Sequence, residues 1–396
     1  MTTRELGHDA APRVSFFNDP VIRGIIYQIV VAAILVGFIA WIVGNTAANL
    51  AAQNKTTGFD FLWKTAGFDI SFSLLPWSRG SYYWEAFLVG LLNTLLVAFI
   101  GIICATVLGF TIGIARLSSN FIVSRLATVY VEIIRNIPLL LQLFFWYFAV
   151  LKAMPAVRES IALPLDSFIN QRGIFVPKPI PDEQFGFVWI GLALAILGVL
   201  ALRHWAKKRL ETTGKRFPVF LTSLAILFGV TGLVFVVSGA SVTFEPPVLE
   251  RFNFKGGLAL PPEFVALAFG LTIYTAAFIA ETVRGGIQSV NRGQTEAAQS
   301  LGLKENDRLR LVIVPQAMRV IVPPLTSQYL NLTKNSSLGA AIGYPELVNV
   351  FSGTVLNQTG RAIEVIAMTM AVYLTLSLLT SAIMNWYNAR VKLVER

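Results

Sequence analysis

Apolar residues in this chain come in long runs rather than as a stripe on one face. Eight runs stand out, at roughly 25–44, 87–115, 126–150, 187–203, 217–238, 263–285, 311–333 and 362–386. A helix needs about 18 or more consecutive apolar residues to cross a bilayer. Seven runs meet or approach that length readily, and the fourth is short. Polar connectors separate them and hold most of the charge. The pattern predicts an all-α, polytopic membrane protein with about eight transmembrane helices.

The connectors set the orientation. With the N-terminus in the cytoplasm, the first inside loop carries Arg116 and Arg125. The next, "RHWAKKRLETTGKR", carries Arg203, Lys207, Lys208, Arg209, Lys215 and Arg216, and the third is flanked by Arg284, Arg292, Lys304, Arg308 and Arg310. The chain ends on Arg390, Lys392 and Arg396. The outside loops, 45–86 and 151–186, mix both signs. This is the positive-inside pattern, with both ends cytoplasmic. The basic run at 203–216 reads first as a topology determinant and second as a contact for anionic lipid. The first outside loop, "DFLWKTAGFDISFSLLPWSRGSYYW", is rich in aromatics, which suit an interfacial anchor or a docking surface for an external partner.

Composition narrows the class further. The 396 residues are 55% hydrophobic and only 14% charged, against about 25% charged in soluble domains, and the mean hydropathy is +0.65. The net charge of +10 sits in short connectors, so it argues for membrane topology and against nucleic acid. Cys104 is the single cysteine, so no disulfide forms within the chain. His8 and His204 lie in a polar tail and a basic loop, which leaves no His/Cys metal cluster. The first 24 residues mix Arg4, Arg13 and Arg23 with Glu5, Asp9 and Asp19. The first run is long and no small-residue cleavage site follows promptly, so it reads as a retained span rather than a signal peptide. No G-x-x-x-x-G-K-[ST] phosphate loop is present; "TTGKR" lacks the first glycine.

One polar interruption asks for an explanation. "TEAAQSLGLKENDRLRLVIVPQ" runs from Thr295 to Gln316 on the cytoplasmic side. Glu296, Ala297 and Ala298 open a short helical segment, the carboxylate suiting the positive end of the helix dipole in a first turn. Two alanines leave a flat face that a partner can approach. Gly302 permits a sharp turn, and Asn306 or Asp307 suits the cap of a second segment. Val312, Val314 and Pro315 re-enter the membrane. Taken alone, this is also what a plain surface connector looks like.

The spacing of those residues resembles the signature of ATP-binding-cassette importer permeases: Glu-Ala-Ala, three residues, Gly, nine residues, an aliphatic, one residue, an aliphatic, then Pro. Val314 stands where Leu is usual. In that family the segment forms coupling helices that dock on the ATPase subunit. The flanking stretches "YTAAFIAETVRGGIQSVNRGQTEAAQSLGL", "VPQAMRVIVPPLTSQYLNLTKNSSLGAAIG", "NTLLVAFIGIICATVLGFTIGIARLS" and "YVEIIRNIPLLLQLFFWYF" resemble the polar amino acid subfamily. The resemblance covers roughly 87–150 and 262–390. It implies a five-helix type I importer core made of the second, third, sixth, seventh and eighth spans. The chain then divides into a cytoplasmic tail (1–24), an extra helix with its outer loop (25–86), a first core part (87–150), an insertion of outer loop and two helices (151–261), a second core part (262–390) with coupling helices at about 293–310, and a tail (391–396). The extra parts resemble the longer permeases of broad-specificity L-amino acid importers.

Polar residues inside apolar runs mark candidate path positions, because each is expensive there. Glu281 closes the sixth run, either paired with Arg284 at helical spacing or facing a pore and the amino group of a substrate. Tyr274 lies seven residues earlier on the same face. Gln142 can donate and accept hydrogen bonds. Asn331, Thr333, Lys334, Asn335, Ser336 and Ser337 form a polar patch after Pro323 and Pro324, two prolines expected to break the helix ladder. Glu281, Gln142, Tyr274, Asn335 and Ser336 are the candidate path residues, alongside Glu296, Ala297, Ala298, Gly302, Val312 and Pro315 for coupling. Arg135 is expected to pair locally with Glu132. Gly109 and Gly113 form a small-xxx-small pattern for close helix approach.

The resemblance implies an inward, ATP-driven transport of polar L-amino acids across the inner membrane of a bacterium. It implies no catalytic site and no cofactor in this chain, with ATP and magnesium bound by an ATPase dimer. Further implied partners are a periplasmic amino-acid-binding protein, a second permease that is a related but different chain, and membrane lipid. An ion-gradient-driven secondary transporter also accounts for polar residues in broken helices, but not for the Glu-Ala-Ala loop. An intramembrane enzyme lacks a histidine pair, a metal motif and paired carboxylates.

Overall fold

The computed structural model describes residues 20–52, 58–214 and 217–391. Most of the two predicted tails lies outside these residues, as do Lys215 and Arg216 of the basic connector. The helices are α1 (Pro20–Ala52), α2 (Tyr83–Ala115), α3 (Phe121–Asn136), α4 (Leu139–Phe144), α5 (Phe185–Thr213), α6 (Val219–Val237), α7 (Pro262–Gln288), α8 (Arg292–Ser300), α9 (Glu305–Arg308), α10 (Val314–Asn335), α11 (Leu356–Thr359) and α12 (Ala362–Val391). Among the described residues, seven helical spans are long and apolar enough to cross a membrane, and a bent pair makes an eighth.

The bent pair corrects the third predicted span. It is α3 followed by α4 and a π-helical stretch, Phe145–Leu151, with a 105° bend between them. The cause is local. Pro138 has no N–H to donate and keeps Ile137 extended, at φ −102° and ψ 129°. Pro323 and Pro324 have no N–H to give the carbonyls of Arg319 and Val320, so the ladder is interrupted there as expected, yet they lie inside α10 without ending it. The departures from α geometry come earlier, as a π-helical turn at Leu309–Ile313, and later, as a 3-10 stretch at Ser336–Ile342.

The core is built around α2 and α7, which run parallel and touch closely. Gly109 and Gly113 of α2 face Ile279 and Val283 of α7, so backbone meets side chain with no intervening bulk. Leu332 of α10 packs on Gly101, and Leu143 of α4 packs on Gly270 of α7. The predicted close approach of helices at "GFTIG" is thus this contact. Helix α1 is different: none of its apolar stretch is buried within the chain.

The aromatic first outside loop folds partly onto the core. Phe61 is buried with its ring 6.2 Å from Tyr83 and 6.3 Å from Phe351. Trp77 donates its indole N–H to the Phe68 carbonyl at 3.1 Å. Arg361, at the outer end of α12, reaches Asp60 at 2.9 Å. Part of the first loop, centred on Phe61 and Ala66, therefore covers the outer end of the core, while Phe59, Trp63 and Leu74 remain exposed.

The all-α expectation holds for the membrane part but misses eight short strands: β1 (Ile161–Leu163), β2 (Ser167–Asn170), β3 (Gly173–Val176), β4 (Lys178–Pro181), β5 (Val242–Glu245), β6 (Val248–Glu250), β7 (Asn253–Lys255) and β8 (Leu258–Leu260). They form an antiparallel sheet in the order β1-β2-β3-β8, a β4-β5 pair and a β6-β7 pair. Phe254 stacks on Phe168 and lies against Phe175, each 4.8 Å away, joining the pieces. These strands gather the outer loops on both sides of the α5–α6 hairpin into one cap.

Candidate coupling surface and translocation path

The polar interruption between α7 and α10 forms two short helices at a turn. Helix α8 begins at Arg292, earlier than expected, because the Asn291 carboxamide accepts from the Gly293 N–H at 2.8 Å. Glu296 therefore sits in the middle of α8 and not in its first turn. Ala298 is buried while Glu296 and Ala297 are exposed, so one methyl anchors the helix and the other lies on its open face. The turn is made by Gly302 at φ +71°, a conformation costly to residues with a Cβ. The Leu303 N–H then closes back on the Ala298 carbonyl at 3.2 Å. Helix α9 starts at Glu305 with Lys304 before it, and no side chain caps it; Asn306 and Asp307 lie inside. Val312 falls in the π-helical turn and Pro315 in the first turn of α10, where its missing N–H costs little.

Glu281 lies near the same cytoplasmic end, at the meeting of α2, α3 and α7. It accepts from Arg284, as the helical spacing predicts, and also from Arg116 at the end of α2. Arg135 of α3 stands 3.8 Å from it and lies over the Phe278 ring at 5.2 Å. The expected local pair of Arg135 with Glu132 is not formed. Glu132 turns instead toward Arg116, at 3.8 Å. Only 7% of the Arg116 side chain is exposed, so these carboxylates answer a charge held inside the protein.

The other candidate path residues are scattered. Gln142 is buried and its amide donates to the carbonyls of Ile134 and Ile137, each at 2.9 Å. Those carbonyls are left open by the bend after α3, so the side chain stabilises the bend. Tyr274 is half-buried with its ring 5.0 Å from Phe278. Ser336 is fully buried and donates to the Thr333 carbonyl at 2.7 Å. Asn335 is half-buried at the end of α10. Glu281 lies in the charged cluster with Arg116 and Arg284, and Gln142 binds the carbonyls at the bend after α3.

Sequence reading missed a buried polar lock near the outer half of the core. Asn93 of α2 donates to the carbonyls of Phe72 and Pro345 at 2.9 and 2.8 Å. Thr94 accepts from the Leu347 N–H at 3.1 Å. Glu346 is fully buried; it accepts from the Val348 and Asn349 N–H groups, each at 2.7 Å, and from the Tyr373 hydroxyl at 3.2 Å. The lock ties the segment after α10 to both α2 and α12. Polar residues inside the apolar run of α2 were the available signal.

A bundle of spanning helices, interrupted at one end by an exposed helix pair, defines a polytopic helical membrane protein. The chain belongs to the family described as binding-protein-dependent transport system inner membrane component, whose model matches residues 105–393. It is thus a multi-pass protein of the inner membrane, and membership implies an ATP-binding-cassette ATPase and a solute-binding protein as partners. The chain is 53% identical over 382 residues to the general L-amino acid transport system permease protein AapQ of Rhizobium johnstonii, covering 96% of this chain and 95% of that one. It is 48% identical to the putative amino-acid ABC transporter permease protein YhdX of Escherichia coli K12, covering 96% and 97%. The glutamate/glutamine/aspartate/asparagine transport system permease protein BztB of Rhodobacter capsulatus is 42% identical, with 96% of each chain covered.

Proposed function

We propose that this chain is a permease subunit that carries polar L-amino acids inward, driven by ATP hydrolysis on separate ATPase subunits and fed by a periplasmic amino-acid-binding protein. The observation that carries the coupling is the exposed α8–Gly302–α9 element between two core helices. Its open face is small and polar, and its root packs through Ala298. ATP and magnesium bind on the ATPase dimer, whose closure draws these elements together and rocks α7 and α10. The relatives' names support the substrate class. The second permease is a related but different chain, and the basic end of α5 contacts anionic lipid.

In this reading Glu296, Ala297, Ala298, Gly302, Val312 and Pro315 form the coupling element. Asn335 and Ser336 belong to the path wall, and Glu281, Gln142 and Tyr274 hold the helices that frame it. The test is Gly302→Asp, assayed with ATPase and binding protein in vesicles. Uptake is expected to fall severely while membrane insertion and binding-protein affinity persist. Undiminished uptake overturns the docking role.

A further inference from the structure

A residue other than glycine rarely holds a positive φ, and one that does is kept there by its surroundings. Among the described residues three such positions occur, Leu165 at +62°, Asp166 at +51° and Arg251 at +42°. All three lie at turns of the outer cap: the first two join β1 to β2, and Arg251 joins β6 to β7. The second turn is clamped from outside its own strands. Arg158 donates to the Arg251 carbonyl at 3.3 Å, and its guanidinium lies over the Phe252 ring at 5.3 Å. Arg172 donates to the Phe252 carbonyl at 3.3 Å. Two arginines remote in sequence thus hold a costly backbone in one shape, and what that shape displays is Phe252, 70% exposed. The ring does not suit hydrocarbon. Glu250 stands beside it, paired with Lys255 at 3.4 Å, and entry would carry the Arg158 guanidinium along.

We propose that the β6–β7 turn is a docking site for the periplasmic binding protein, with Phe252 filling an apolar pocket on that protein and Arg158, Arg172 and Arg251 facing carboxylates around it. The proposal rests on the importer reading and deepens it. The turn and the coupling helices lie at opposite ends of α7, so the turn is on the outer side, and it falls within the residues matched to a family described as binding-protein-dependent. All three arginines are exposed, and among the described residues none of them joins an ion pair. An aromatic ring rimmed by arginines is the composition of the energetic centre of a protein interface. The strain has a reason in this reading: a turn already held in its bound shape loses little freedom on docking. Unpaired cations around it speed the encounter with an acidic surface.

The test uses the whole importer, both permeases with their ATPase, in nanodiscs of zwitterionic lipid. It reads association and dissociation of the purified binding protein of the same system. Phe252→Ser is expected to weaken binding about tenfold or more, chiefly through faster dissociation, and Phe252→Tyr to retain most of it. Glycine suits the positive φ, so Arg251→Gly is expected to hold or raise the Tm while association slows and depends less on salt. Leu165→Ser, at another turn of the same cap, is the control and is expected to bind as wild type does. Wild-type binding by Phe252→Ser, or an equal loss in Leu165→Ser, overturns the proposal. So does a Phe252→Ser variant that keeps its binding-protein affinity but separates the two permeases or loses a stabilisation by anionic lipid. If Phe252→Ser fails to accumulate, Arg251→Gly decides, and unchanged association overturns the proposal. ATP-dependent uptake by wild-type vesicles with binding protein is the separate check on the importer reading: no amino-acid uptake there sinks that reading, whereas normal uptake with indifferent turn variants sinks only this one.

Discussion

Gly109 of α2 lies directly against Ile279 of α7: a Cβ at residue 109 would stand 2.6 Å from the Ile279 Cβ and 2.9 Å from the Ala276 carbonyl oxygen. The second contact is backbone and cannot swing away. Gly109→Ala is therefore expected to lower stability by about 1–3 kcal/mol, the usual penalty for overpacking, seen as a lower Tm of the purified complex. Gly285→Ala, where a Cβ meets nothing within 4 Å, is the matched control and is expected to change little. Equal Tm values for the two variants would show that α2 and α7 are not held this closely.

Glu281→Gln removes the chief counter-charge of the inward Arg116. The expected loss is about 3 kcal/mol, at the lower end for a broken buried pair, because Glu132 still stands 3.8 Å from Arg116. Replacing both partners, Arg116→Met with Glu281→Met, is expected to recover part of that loss. A double-mutant cycle on Tm measures it. Simple additivity would remove charge pairing as the reason for the cluster.

Gln142→Leu leaves the Ile134 and Ile137 carbonyls without their donor. About 1–3 kcal/mol of stability is expected to go with it, and uptake is expected to fall in proportion to the surviving folded protein. Tm and uptake measured on the same preparation separate two roles. Lost uptake at an unchanged Tm would move Gln142 from the bend to the path.

Asp60 gives the outer clamp a pH dependence. Partial loss of solvent pushes its carboxyl up, but the hydrogen bond from Lys64 and the charges of Arg361 and Lys64 outweigh this and hold it below its ordinary value of 3.8. A depressed carboxylate stabilises the fold above its unfolded value and ceases to do so as the pH falls through its folded value. The Tm gap between wild type and Asp60→Asn is thus expected to be constant near neutrality and to close as the pH falls below 3.8. A gap that persists unchanged at pH about 2 would mean that the Asp60–Arg361 pair is not its source.

The membrane spans were legible because the bilayer demands length and apolarity, both of which are written locally. The coupling turn was legible because Gly302 and the two alanines are adjacent in sequence. What escaped depends on distance or on small numbers of residues. Arg116 and Glu281 meet across 165 positions, and nothing near Glu281 announces a second arginine. The strands are three or four residues long, too short for an alternating pattern to emerge, and β4 contains two prolines. Pro138 lies inside the third predicted run, but the bend was not legible because its support, Gln142 donating to the carbonyls of Ile134 and Ile137, shows only in three dimensions. Pro323 and Pro324 show the converse: α10 continues through two prolines because its neighbours hold it in place. Polar residues in a membrane run identified places of interest without saying whether a bend, an ion pair or a ligand accounts for them.

The pairing of β4 with β5 has a consequence for how this protein is assembled from parts. Pro181 and Val242 are register partners, so their backbones lie only about 5 Å apart, and the whole α5–α6 hairpin leaves and returns through that narrow neck. A detachable module of this shape leaves almost no gap when removed. Two residues of linker would rejoin the strands, and a shortened chain of this kind would test whether the machine needs its outrigger at all.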